Sequence, residues 1–303
     1  MELQAITLLL ASTIAFAAPL IFASMGEVIS EKTGIINIQL EGMMLAGAFC
    51  GVWAALASGS LILGFAGAAA AGVAVALLHG ILCMIFRAEQ VVSGVVLNIL
   101  VLGLTTFAII PVFGGNLGNS APTLAPVPIP FLSDIPVIGR ALFTQNVMVY
   151  AALLLVPAVW YFIYRTTSGL AVQAAGEAPA SAASMGVNVR RVRWLALIAC
   201  GALAGIGGGQ LTLAGLGTFT QNVTAGRGFV ALAAVVFGRW RPLGTLVAVL
   251  LFTFVEAIQA RAQVLGIRVP YQFLVMAPYV VTVVALVLFV RRGRPPKALG
   301  IND

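Results

Sequence analysis

Residues 26–49 read GEVISEKTGIINIQLEGMMLAGAF. Glu27, Glu31, Lys32, Asn37, Gln39 and Glu41 crowd into this stretch, yet apolar runs lie on both sides of it, near Leu3–Ser24 and Ile38–Ala57. A bilayer core about 30 Å thick takes about 20 apolar residues per helix. The polar stretch therefore reads as the link between two membrane helices, not as the surface of a soluble domain. Working outward, further runs fall near Leu61–Phe86, Val91–Phe113, Val147–Tyr164, Trp194–Ala214, Leu243–Ala262 and Tyr271–Val290. A shorter run, Phe229–Gly238, follows the step Gly226–Gly228.

Composition agrees. Hydrophobic residues make up 61% of the 303, charged residues only 8%, and the mean hydropathy is +1.09. Such a chain has too little polar surface for a water-soluble domain. The expected fold is an all-α polytopic transmembrane helical bundle of about nine membrane segments, one short or broken. Residues 1–303 form one transmembrane domain. The first run begins Met-Glu-Leu-Gln and meets no positive charge before Lys32, unlike a cleavable signal peptide, so it is expected to remain in the mature protein.

The net charge of +7 is no signature of nucleic-acid binding, because the basic residues flank apolar runs. Nine crossings place Lys32, Arg87, Arg165, the cluster at 190–193, Arg239, Arg241 and the tail RRGRPPKALGIND on one side. By the positive-inside rule that side is the cytoplasm and the N-terminus lies outside. A re-entrant Phe229 segment would instead divide the basic residues evenly. The short seventh crossing is expected to begin in the outer half and to recruit Thr224–Gly228.

Two loops stand out. The external loop, about 114–146, contains Pro122, Pro126, Pro128, Pro130 and Pro136, which favours extended segments and turns. The cytoplasmic loop, about 166–193, contains Pro179 at a helix start, Glu177 near that start, small residues over Ala180–Met185, and then Gly186. This predicts a short surface helix. Within the membrane, Gly201, Gly205 and Gly209 recur every four residues, a spacing that brings helix backbones together.

Catalysis lacks its parts. His79 is the only histidine and is expected to be a hydrogen-bonded packing residue, while Cys50, Cys83 and Cys200 lie in apolar runs without metal-ligand spacing. No GxxxxGK[ST] phosphate loop follows the glycines at 207–209, so no ATPase site of the chain's own is expected. Transport is the default function. Asn98 lies near mid-membrane and must face protein or a cavity. A helix beginning near Ile36 would stack Asn37 and Glu41 on one flank with Gly47, marking a cavity or a helix interface.

Four ordered blocks carry a resemblance over nearly the whole chain: residues 26–49, EQVVSGVVLNILVLGLT at 89–105, the run from Ala175 to Gly209, and AGRGFVALAAVVFGRWRPLGTLVAVLLFTFVEA at 225–257. They resemble permease subunits of ATP-binding-cassette importers in the branched-chain amino acid, simple sugar and nucleoside group. The likeness is to the shorter permease of nucleoside-type systems. The resemblance implies a permease in a bacterial cytoplasmic membrane, binding no cofactor itself while a cytoplasmic cassette subunit uses ATP. It also implies a second, different permease subunit and an external substrate-binding protein or lipoprotein. The cargo would be a nucleoside or related sugar-containing molecule, with Asn37, Glu41 and Asn98 on its path. Gly176, Glu177, Pro179, Ala182 and Gly186 would form the helix that docks on the ATPase. The family usually reads Gly-Glu-Asn-Pro there, with more charge along the helix; here Ala178 and small residues leave the fit to shape. A self-sufficient secondary transporter or channel for a small polar metabolite is the alternative, with Glu41, Glu256 and His79 as its only ion-coupling groups.

Overall fold

The computed structural model describes residues 2–114, 120–133, 135–215, 217–264 and 294–301, with Met276 and Val280. Its helices are α1 (Glu2–Glu31), α2 (Leu40–Ser58), α3 (Leu61–Gly80), α4 (Gln90–Phe113), α5 (Ile138–Leu142) and α6 (Val147–Arg165). They continue with α7 (Thr167–Glu177), α8 (Pro179–Ser184), α9 (Val189–Leu213), α10 (Arg227–Phe237) and α11 (Pro242–Val264). A π-helical turn, Ile81–Ile85, extends α3. Among the described residues, seven helices are long and apolar enough to cross a membrane, and α10 is a shorter apolar helix. The expected run Tyr271–Val290 lies outside the described residues except for Met276 and Val280. The protein is thus an all-helical, multi-pass membrane protein.

At the centre, α9 packs against α1, α2 and α3, and glycines set the distance. A Cβ on Gly205 would stand 2.2 Å from the Ala68 carbonyl oxygen, and one on Gly208 1.8 Å from that of Met44. One on Gly47 would meet the Gly205 oxygen at 2.3 Å. These backbones touch, and van der Waals contact between them replaces the hydrophobic drive that lipid does not supply. At the margin, α4 exposes Val92, Ile99, Phe107 and Ile110, the dress of a helix facing lipid or another subunit.

Three local expectations need correction. The first run does not end at Ser24: α1 continues to Glu31, so Glu27 and Glu31 are buried in its last turns and do not lie in a polar turn. The second helix begins at Leu40, not near Ile36, leaving Asn37 outside it. Asn37 and Glu41 therefore do not stack at helical spacing. The short crossing does not recruit Thr224–Gly226; it starts at Arg227, because Ala225 and Gly226 take φ of 45° and 86°.

The loop after α6 holds two helices, where one was expected. Thr166 caps α7 by accepting from the Gly169 N–H at 3.0 Å, so Glu177 ends α7 and Pro179 begins α8. Gly186 follows with φ of 87°.

Candidate functional site

The link 32–39 between α1 and α2 has little regular structure, yet most of it is buried, so its backbone groups need partners. Side chains from four helices supply them, including Arg193 of α9, whose Nε donates to the Thr33 carbonyl at 3.2 Å. Glu27 of α1 accepts from the Asn37 N–H at 3.1 Å and from Asn37 Nδ2 at 2.9 Å. Gln90 Oε1 of α4 accepts from the Ile36 N–H at 2.8 Å. His79 Nε2 of α3 lies 3.2 Å from the Ile36 carbonyl, which requires the Nε2–H tautomer, and its Nδ1 then accepts from Ser93 at 3.1 Å. Asn98 closes the far end, donating to the Ile38 carbonyl at 2.9 Å and accepting from the Gly42 N–H at 2.7 Å. Cys200 of α9 donates to Glu27 at 3.3 Å, and Trp240 Nε1 donates to Glu31. A non-helical segment surrounded by membrane helices survives only with its polar groups satisfied in this way.

Glu41 works at longer range. Its carboxylate accepts from Thr224 Oγ1 at 2.5 Å, from the Gly226 N–H at 2.9 Å and from the Gly228 N–H at 2.7 Å. It thus seats a negative charge on the N-terminus of α10, where the first N–H groups have no helical partner and the helix dipole favours an anion. Gly228 is required for the approach, since a Cβ there would stand 2.4 Å from Glu41 Cα. Next to it, Arg227 pairs with Glu256 of α11 at 2.5 Å, both side chains being 27% exposed.

The structure brings Asn37, Glu41 and Asn98 to one break between helices, although their polar atoms are engaged by the protein itself. Gly176, Glu177, Pro179, Ala182 and Gly186 gather at the α7–α8 corner. The two groups connect: a Cβ on Gly176 would lie 2.2 Å from the Lys32 carbonyl oxygen, at the start of the link. The tail adds a second tie, with the Ala298 N–H donating to the Gly176 carbonyl at 2.8 Å and the Gly300 N–H to that of Gly34 at 3.0 Å. Lys32 rests over the Tyr164 ring at 5.6 Å. Burial pushes its ammonium below the ordinary lysine range, and the Glu177 charge opposes that shift.

The family model described as "Branched-chain amino acid transport system / permease component" matches residues 9–291. The chain belongs to this permease family. The permease is 36% identical to the guanosine ABC transporter permease protein NupQ of Bacillus subtilis, over 98% of this chain and 97% of that one. It is 35% identical to the nucleoside ABC transporter permease protein NupC of Lactococcus lactis, over 97% and 96% of the two chains. A putative glucose ABC transporter permease protein of Haloferax volcanii, TsgC13, is 40% identical over 86% of this chain and 79% of its own. A second guanosine permease protein of Bacillus subtilis, NupP, is 28% identical over 78% of this chain and 69% of its own. No solved structure matches at a significant level.

Reading the sequence alone missed Glu27, His79 and Gln90 as clamps of the permease's link. Glu27 and Gln90 sit in the blocks that carry the resemblance, but no spacing rule joins residues 63 positions apart. His79 was legible as a hydrogen-bonded residue, though not its partner.

Proposed function

We propose that the permease is one of two different transmembrane subunits of an ATP-driven importer and forms half of the path for a nucleoside or related sugar-bearing molecule. The observation that carries this reading is the mechanical continuity from the α7–α8 corner through Gly176 and Lys32 to the clamped break at Asn37–Glu41. A push on the corner reaches the break through backbone contact, with no soft side chain between. In this reading the corner is the seat of a cytoplasmic cassette subunit, which binds and hydrolyses the ATP. Pro179, Ala182 and Gly186 shape the docking helix, and Gly176 and Glu177 join it to the link. Asn37, Glu41 and Asn98 build the wall of the path and hold its backbone. The similarity to both NupQ and NupP supports a partner that is a longer relative of this chain, and an external binding protein delivers the cargo. The membrane is the bacterial cytoplasmic membrane, with the N-terminus outside and the α7–α8 corner inside.

The test is uptake of radiolabelled guanosine and of glucose by cells expressing the permease and its partner permease, with an intact or a Walker-lysine-substituted cassette subunit. Uptake of either cargo that stops with the substituted cassette is the expected result. Undiminished uptake would show a self-sufficient transporter instead.

A further inference from the structure

The chain between α9 and α10 descends through the bundle without forming a helix. α9 has 25 residues, about 37 Å at 1.5 Å per residue, enough to cross the bilayer. At its end the Gly217 carbonyl accepts from the Ala121 N–H of the 114–146 loop at 2.9 Å. Ten residues later α10 begins at Arg227 beside Glu41, which lies in the first turn of α2. Between these points Gln221 Nε2 reaches Thr106 Oγ1 at 3.4 Å, seven residues before the end of α4 and so about 10 Å inside it. Phe219 pins the stretch between Phe49 and Phe113, at ring-centroid distances of 5.1 and 6.2 Å. Thr218–Gly226 is thus an unwound segment running from the outer rim toward the middle of the membrane. Such backbone is tolerated at that depth only where protein or a water-filled space covers it.

The side chains tell which. Thr220, Gln221 and Asn222 are all exposed. Among the described residues, the Thr220 hydroxyl, the Asn222 amide and the Gln221 amide oxygen have no hydrogen-bond partner. Neutral polar groups left open toward lipid would each cost several kcal/mol. The charges nearby are already spent, Glu41 on the α10 N-terminus and Arg227 on Glu256. What remains on offer is a row of uncharged donors and acceptors, held in place by a buried aromatic anchor.

We propose that Thr220, Gln221 and Asn222 are the cargo-contacting, specificity-determining residues of the path, and that they take an uncharged, hydroxyl-bearing molecule. This inference rests on the import reading above. A phosphorylated form of the same cargo would meet in Arg227 a cation already paired with Glu256, and is expected to be refused.

The test uses the assembled transporter with Thr220→Val, Gln221→Met and Asn222→Gly. The first two keep side-chain volume, and glycine tolerates the φ of 54° at Asn222. Guanosine, 2′-deoxyguanosine and glucose are the probes. For the transported probe, each variant is expected to raise the uptake KM by about three- to tenfold, as loss of one hydrogen bond does, with unchanged subunit recovery and melting temperature. At least one variant is expected to narrow the discrimination between guanosine and its deoxy analogue. Unchanged KM in all three, or a loss of subunit recovery in its place, would overturn the assignment and make the row an interface between permeases. A cargo-independent arm labels Gln221→Cys and Asn222→Cys with a small charged methanethiosulfonate, against the background of the protein's own cysteines. Both are expected to react from the outer side. Failure of both to react overturns the water-lined row whatever the cargo. Reaction together with uptake that ignores the cassette would sink the import reading alone.

Discussion

Replacing Glu41 by Ala removes the acceptor for one hydroxyl and two backbone N–H groups at the head of α10. Hydrogen bonds to a charged group contribute about 1.5–3 kcal/mol each, so Glu41→Ala is expected to cost about 3 kcal/mol or more. The measurement is the thermal midpoint of the purified permease in detergent, and Glu41→Gln should recover part of the loss. Asn98→Leu should cost less, about 1–3 kcal/mol, by orphaning the Gly42 N–H and the Ile38 carbonyl. Asn98 was legible in the sequence as an amide that must find a partner at membrane depth. Glu41 was legible as an anomaly in an apolar run, but its partner lies 183 residues away along the chain, where no periodicity reaches.

Elements differ in what a glycine does for them. A valine at Gly205 must displace the Ala68 backbone, since even a Cβ stands 2.2 Å from its oxygen. Overpacking of this kind costs about 1–3 kcal/mol or more, so Gly205→Val should lower the yield of folded protein and its melting temperature together. At Gly186 a Cβ meets nothing within 4 Å, and only the φ of 87° opposes it. Gly186→Val should therefore cost about 1 kcal/mol of local strain and leave global stability nearly intact. Transport should nevertheless fall, through weaker co-purification with the cassette subunit. Normal uptake and normal co-purification would remove the docking role from α8. The glycine stripe of α9 could be read from its spacing of four. The second loop helix, α7, could not, because nothing in its run of small residues signals a helix until Thr166 caps it.

At the scale of the whole molecule, the arrangement of basic residues predicts an orientation that labelling can check. A single cysteine at Ser120 should react with an impermeant thiol reagent in intact cells, and one at Ser181 should not. Labelling at Ser181 would invert the bundle and, with it, the side on which the cassette subunit docks. Isolated from its partners, the permease is expected to show no ATP hydrolysis above background. Hydrolysis by the purified chain alone would contradict its assigned place in the transporter.

Apolar run length and charge placement, both local properties, determined the membrane class, the helical fold and the seven long helices now described. Four ordered blocks, spread over nearly the whole chain, carried the resemblance to the family. Tertiary structure alone decided where the helices stop. α1 runs on through Glu27 and Glu31 because Asn37, Cys200 and Trp240 supply their hydrogen bonds. The link can stay unwound as far as Gln39 because His79, Gln90 and Asn98 satisfy its backbone. Helix boundaries in lipid depend on which distant groups meet the freed N–H and carbonyl groups, and that information exists only once the chain has folded.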